Sequence, residues 1–142
     1  MKNRAKNIAS AAAIGLFSLF AIASVDEEPE STPAEMKAAK AELSVTARTI
    51  AYDYNENEVA ANLKYENKII QVSGSIEDIS KDFGQYSISL VGSNYKGVLC
   101  SFNGNVAEQL AALRSGQMIT IKGRCDGDYG SVSMEDCVII TK

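Results

Sequence analysis

Three sets of residues in this chain have side chains that could do chemistry. The first is Cys100, Cys125 and Cys137. Their spacing contains no C-x-x-C pair and the chain has no histidine, so zinc is a poor fit. A thiol or serine nucleophile would lack an imidazole base for the same reason. In an oxidising compartment a pair of these cysteines is expected to form a disulfide; kept reduced, all three read as small core residues. The second set is Asp126, Asp128, Glu135 and Asp136, around the last turn signal. Their oxygens could hold calcium, but the Asp126 to Gly130 run is too short for an EF-hand loop, and a solvated turn accounts for the same residues. The third set is Tyr86, Tyr95, Phe102 and Tyr129 with Lys96, Lys122 and Arg124. Aromatic rings with a few cations are what a single-strand binder uses. Tyr86 and Phe102 fit core positions, which leaves Tyr95, Lys96, Lys122, Arg124 and Tyr129 as the candidate ligand-binding residues. No catalytic set, metal site or cofactor motif is read.

The charge balance bears on the partner. Residues 1–25 carry Lys2, Arg4 and Lys6 and no acid. The rest of the 142-residue chain holds the other 11 Lys and Arg against all 18 Asp and Glu, a net of −7. Phosphate neutralisation supplies most nucleic-acid affinity, so an acidic domain disfavours that class of partner.

The N-terminus reads as an export segment. Basic Met1 to Asn7 precedes uncharged Ile8 to Val25, and Asp26, Glu27 and Glu28 follow. Ala21-Ile22-Ala23 matches the small-residue cleavage rule, which places cleavage before Ser24. The alternative is an uncleaved inner-membrane anchor over residues 8–25, just long enough to span. Either way the positive end stays inside and the remainder is exported, to the periplasm or beyond. No cysteine precedes Cys100, so lipid attachment at a mature N-terminal cysteine is excluded.

Residues 24–44 read as an acidic tether and a solvated helix. Thr32, Pro33 and Glu35 supply an N-cap, a first-turn proline and a capping glutamate. The Ala-, Lys- and Glu-rich run from Ala34 to about Ala47 has few large apolar residues to dock it. A second helical region spans Val45 to Tyr65. Asn55 and Glu58 form a capping box, with Tyr54 and Val59 as its staple, so the helix should break near Asn55.

Period-two patterns follow. Lys68 to Asp78 places Ile70, Val72, Gly74 and Ile76 on one face, with Gly74 where a bent strand needs a bulge or coil. Ser80 to Gly84 reads as a turn. Tyr86, Ile88 and Leu90 share a face of a second strand, and Val98, Cys100 and Phe102 of a third. Asn105 and Glu108 then suggest a capped helix from Val106, with Val106, Leu110 and Leu113 on one side, stopped at Ser115-Gly116. Ile119 and Ile121 open a fourth strand. Gly127-Asp128-Tyr129-Gly130 reads as a tight hairpin turn, and Val132, Met134, Val138 and Ile140 belong to a fifth strand.

Three strands, one helix and two strands is the order of an OB-fold barrel. The fold class expected is mainly β: a five-stranded OB-fold barrel with a helix between strands 3 and 4, preceded by N-terminal helices. The expected domains are 1–23 (signal peptide or membrane anchor), 24–44 (tether and solvated helix) and 45–142 (the OB-fold domain with its helical extension). In such a barrel the third and fifth strands are neighbours, which favours Cys100 with Cys137. Cys125 with Cys137 is the rival pairing. A turn centred on Asp128 and Tyr129 argues against it by setting Cys125 opposite Val132.

The run Tyr54 to Tyr65, with Lys68 and Val72-Ser73-Gly74, resembles the opening of the tRNA_anti-like group of OB-fold proteins. So do Cys100-Ser101-Phe102, the Leu113 to Gly116 helix end, Ile119 to Gly123, Met134 and Asp136-Cys137. The resemblance covers Val45 to Lys142 and rests on turn, cap and core residues. It implies the fold and an oligonucleotide-type binding face in a group composed largely of exported or uncharacterised bacterial and phage proteins. It brings no established catalytic residues.

Taken together, these features lead us to expect an exported, non-catalytic OB-fold binding module without a cofactor. Its partner would be a protein, an envelope component or a small ligand, and the membrane would be met only through the N-terminal segment. The alternative is a single-stranded nucleic-acid binder.

Overall fold

A computed structural model of the chain describes residues 30–141. The expected signal or anchor segment and the first residues of the tether lie outside them. Five strands make the barrel: β2 (Ile69–Asp82), β3 (Gln85–Ser93), β4 (Lys96–Phe102), β5 (Met118–Asp128) and β6 (Val132–Thr141). An additional short strand, β1 (Leu43–Thr46), precedes them. The order β2-β3-β4-β6-β5 closes on itself through a β2–β5 pairing, so every barrel strand has a neighbour on each side along part of its length. Residues 69–75 of β2 pair with β5, and 76–82 pair with β3. β4 and β6 run parallel; the other barrel pairs are antiparallel.

The alternating apolar positions point inward as the period-two reading requires. Ile70, Val72, Ile76, Ile88, Leu90, Val98, Cys100, Phe102, Ile119, Ile121, Val132 and Met134 are all buried in one cluster. The bulge in β2 falls between Ile76 and Asp78, not at Gly74. Gly74 has a packing role instead: a Cβ there would lie 2.9 Å from the Ala47 Cβ.

Among the described residues, four helices attach to the barrel. α1 (Pro33–Ala38) starts with the expected capping box between Thr32 and Glu35. It is far shorter than the helix read from composition, and although five of its six residues are exposed, Met36 docks it on the barrel. Met36 is 1% exposed, and the Lys122 ammonium donates to the carbonyls of Lys37 and Ala39. The residues expected to continue the helix form β1, parallel to β2 with Leu43 opposite Ile70. Leu43 and Val45 pack on the core while Ser44 and Thr46 face out, and that alternation prevails over Ala and Lys helix propensity.

α2 (Ala47–Glu56) and α3 (Glu58–Tyr65) break at Asn57 rather than Asn55. The Asn57 side chain accepts from the Ala60 amide, while Asn55 Nδ2 donates to the Ser93 carbonyl at 2.9 Å. Val59 is exposed, so it does not staple onto buried Tyr54. α4 (Ala107–Ala111) lies between the third and fourth barrel strands as expected, but is only five residues long. Asn105 Oδ1 takes the Ala107 amide at 3.2 Å and the Asn105–Glu108 capping box does not form. The apolar face is the one expected: Val106, Leu110 and Leu113 join the core.

The turns are tighter or wider than the sequence suggested. β2 runs on to Asp82, leaving Phe83 and Gly84, both at positive φ, as the turn to β3. Asn94 and Tyr95 turn β3 into β4. The β5–β6 loop spans residues 129–131, with Asp128 opposite Val132 and Cys125 opposite Met134. Cys125 therefore does not face Cys137, although the register differs from the one expected.

Candidate functional site

The five candidate residues do not form one surface. Lys122 alternates away from the barrel interior, yet it is 6% exposed because α1 covers it. Lys96 is largely buried in an ion pair with Asp128. Tyr95 and Tyr129 stand exposed on the β3–β4 and β5–β6 turns, Tyr95 at a positive φ of 65°. Asp126, next to Tyr129, holds the Tyr129 phenol above its ordinary pKa. Arg124 alone of the five faces the polar cleft across β3–β6, where Nη2 donates to Ser31 Oγ at 3.3 Å. Tyr86 and Phe102 belong with the core as expected: Phe102 is buried and Tyr86 packs against the cluster.

That cleft has a volume of about 330 Å³ and runs across β3, β4, β5 and β6. Gln85, Ser101 and Asn103 contribute amide and hydroxyl groups, and Arg124 the one cation among its lining residues. Glu30, Asp126, Glu135 and Asp136 contribute four carboxylates. The acidic cluster seen in the sequence is thus split. Asp128 goes to Lys96, and the other three members line the cleft. Asp136 sits at positive φ and its carboxylate is held from two sides. Asn103 Nδ2 donates to one oxygen at 2.6 Å and the Ser31 amide to the other at 3.3 Å. Partial burial, then the charges of Asp126, Asp136 and Glu30, push the Glu135 carboxyl above its ordinary pKa, with Arg124 opposing. Among the described residues no group of three or more Cys, Asp or Glu is placed to hold a metal ion.

Beside the cleft, the outward positions of β3, β4 and β6 are Ser87, Ser89, Leu99, Ser101 and Ser133, in register across the strands. No ring and no cation stands in that row. The amides and serines of this region come from separate strands, and their only mark in the sequence is the polar half of each alternation.

The three cysteines are free thiols and all are buried. The expected Cys100–Cys137 bond is not formed; the two thiols are neighbours, and Cys137 Sγ donates to the Glu135 carbonyl at 3.7 Å. Burial raises the Cys137 and Cys125 pKa values, which keeps both protonated. Cys125 Sγ lies 3.6 Å from the Tyr54 hydroxyl.

The sequence match agrees with the barrel. A family model described as tRNA_anti-like matches residues 1–138. The chain belongs to the tRNA_anti-like family. Among solved structures, this tRNA_anti-like chain is similar to a Klebsiella pneumoniae lipoprotein provisionally described as nucleic acid-binding. The identity is 20% and the TM-score 0.55, over 68% of this chain and 91% of that one. A yeast Stn1 and Ten1 structure matches at 15% identity and TM-score 0.38, over 80% of this chain and 72% of that one. At these identities the first match speaks for the fold, and the second carries no weight. No curated protein sequence matches the chain.

Proposed function

We propose that this tRNA_anti-like protein is an exported, non-catalytic binding module that holds a protein, an envelope component or a small polar ligand at the cleft across β3–β6. The observation that carries the reading is the charge of the cleft: four carboxylates against Arg124. Lys122 and Lys96, the other two cations of the candidate set, are committed to α1 and to Asp128. A strand of phosphates would meet repulsion where it needs neutralisation. The absence of histidine and the raised thiol pKa values support a non-catalytic role. The basic, apolar, then acidic layout of the first residues supports export, as does the lipoprotein character of the Klebsiella neighbour.

The second reading, single-stranded nucleic-acid binding, is favoured by the description of that neighbour and by the exposed rings of Phe83, Tyr95 and Tyr129 on the turns. Fluorescence anisotropy with a labelled oligo-dT at low salt separates the two. No saturable binding is expected. Binding that weakens steeply with salt and is lost in Arg124→Ala would install the second reading.

Export also implies an oxidising compartment, where the neighbouring Cys100 and Cys137 would give up two protons and two electrons to a thiol–disulfide oxidant during folding. Alkylation and mass spectrometry of protein recovered from the cell envelope should find one Cys100–Cys137 link and a single alkylatable thiol, Cys125, after unfolding. Three alkylatable thiols would refute the pairing and argue for a reducing location.

A further inference from the structure

A second cleft, sharing no residue with the polar one, opens where β2 changes partners. Up to Ser75 that strand pairs with β5, and from Ile76 with β3. The two partners diverge there and leave a gap walled by Val91 of β3 and Met118 of β5, with Gly74 between them. The gap measures about 250 Å³ and its surface is mainly apolar. Met118 is 62% exposed, a large flexible apolar side chain left uncovered at the rim.

The polar groups here are few. The Thr46 hydroxyl is used by Thr49, and the Ser73 hydroxyl by Thr120 at 2.8 Å. Arg48 lines the same cleft and is exposed. Among the described residues no carboxylate lies within ion-pair distance of it. A guanidinium presents paired donors that match a carboxylate. An apolar wall with one unmatched guanidinium is complementary to a molecule with an anionic head and a short hydrocarbon tail.

We propose that this cleft binds a small amphipathic carboxylate of the short- to medium-chain fatty-acid class, its head on Arg48 and its tail between Val91 and Met118. The volume is below the roughly 300–1,000 Å³ of drug-sized sites, which sets the limit on tail length. The site is independent of the polar cleft and stands or falls separately from the function proposed above.

Octanoate is the probe. The full chain, labelled with ¹³C at the methionine methyls, is titrated with octanoate below its micelle concentration, the Met118 signal being assigned by Met118→Leu. A saturable shift of the Met118 methyl is expected. In Arg48→Ala the dissociation constant should rise about tenfold, the size of one charge-assisted contact. Octanol should bind the native chain and Arg48→Ala equally, and acetate should not move the signal. No Met118 shift with octanoate would overturn the proposal. So would equal affinity of the native chain and Arg48→Ala for octanoate, which would mean a merely greasy patch. A Met118 shift that follows protein concentration without octanoate would assign the cleft to a second copy of the chain and would overturn it as well.

Discussion

Gly92→Ala is expected to cost about 3 kcal/mol or more of folding stability, the upper end of the overpacking range and enough to unfold a marginal domain. The reason is steric. A Cβ at Gly92 would overlap the Lys96 carbonyl oxygen and lie 2.9 Å from the Ala51 Cβ. The first obstacle is backbone and cannot rotate away. The second belongs to α2, which is itself tied to this hairpin by the Asn55 bond to the Ser93 carbonyl. Relief would require the β3–β4 end to lift off α2, at the register shift between Leu90 and Ser93. Gly84→Ala is the comparison. Gly84 has φ +83° and nothing within 4 Å of an added Cβ, so its cost is conformational, about 1–2 kcal/mol. Urea unfolding of both variants reads the difference as a shift in midpoint at unchanged slope. If Gly92→Ala is no worse than Gly84→Ala, the hairpin is free to move and the tight packing of α2 on it is wrong.

The same contrast between local and long-range causes explains what could be read in advance. The barrel strands were legible because a half-buried strand repeats every two residues: Ile88, Leu90, Val98, Cys100 and Phe102 needed no knowledge of their partners. The side of α4 that faces the core was legible for a similar reason, through Val106, Leu110 and Leu113. Its first turn was not, because Asn105 could cap either of two amides and the structure uses that of Ala107. β1 was hidden by composition. Four residues of alternating character after an Ala- and Lys-rich stretch become a strand only because β2 offers an edge beside Ile70 to Ser73. The candidate site was the least legible part. Lys122 does point away from the barrel interior, as alternation says, but nothing near it in the sequence announces that α1 lies over it. Lys96 finds Asp128 across 32 residues. The polar cleft draws on β3, β4, β5, β6 and the segment before α1, so no spacing rule could have assembled it.

Lys122→Met is expected to detach α1 while leaving the barrel folded. The ammonium donates to Lys37 O at 2.7 Å and Ala39 O at 2.6 Å, satisfying carbonyls at the end of a six-residue helix that has few of its own bonds. Methionine keeps most of the apolar stem and removes both donors. Hydrogen bonds from a charged group contribute about 1.5–3 kcal/mol, more than so short a helix can replace. Strand β5 keeps its backbone pairing with β2 and β6, so the loss should be confined to residues 31–39. Hydrogen exchange at Met36 to Ala39 should rise at least tenfold, and cleavage after Lys37 by a lysine-specific protease should appear, while the amides of Ile119 and Ile121 stay protected. Lys122→Arg should not rescue, since a planar guanidinium does not fit a site shaped for an ammonium. The change should also be felt in the polar cleft. Glu30 and Ser31 precede α1, and Glu30 is one of the charges that raise the Glu135 pKa. With α1 released, the Glu135 carboxyl should titrate lower, toward its ordinary value, in an NMR pH titration. Unchanged protection of α1 together with an unchanged Glu135 titration would mean that Met36 alone holds the segment, and that the buried lysine has some other purpose in the fold.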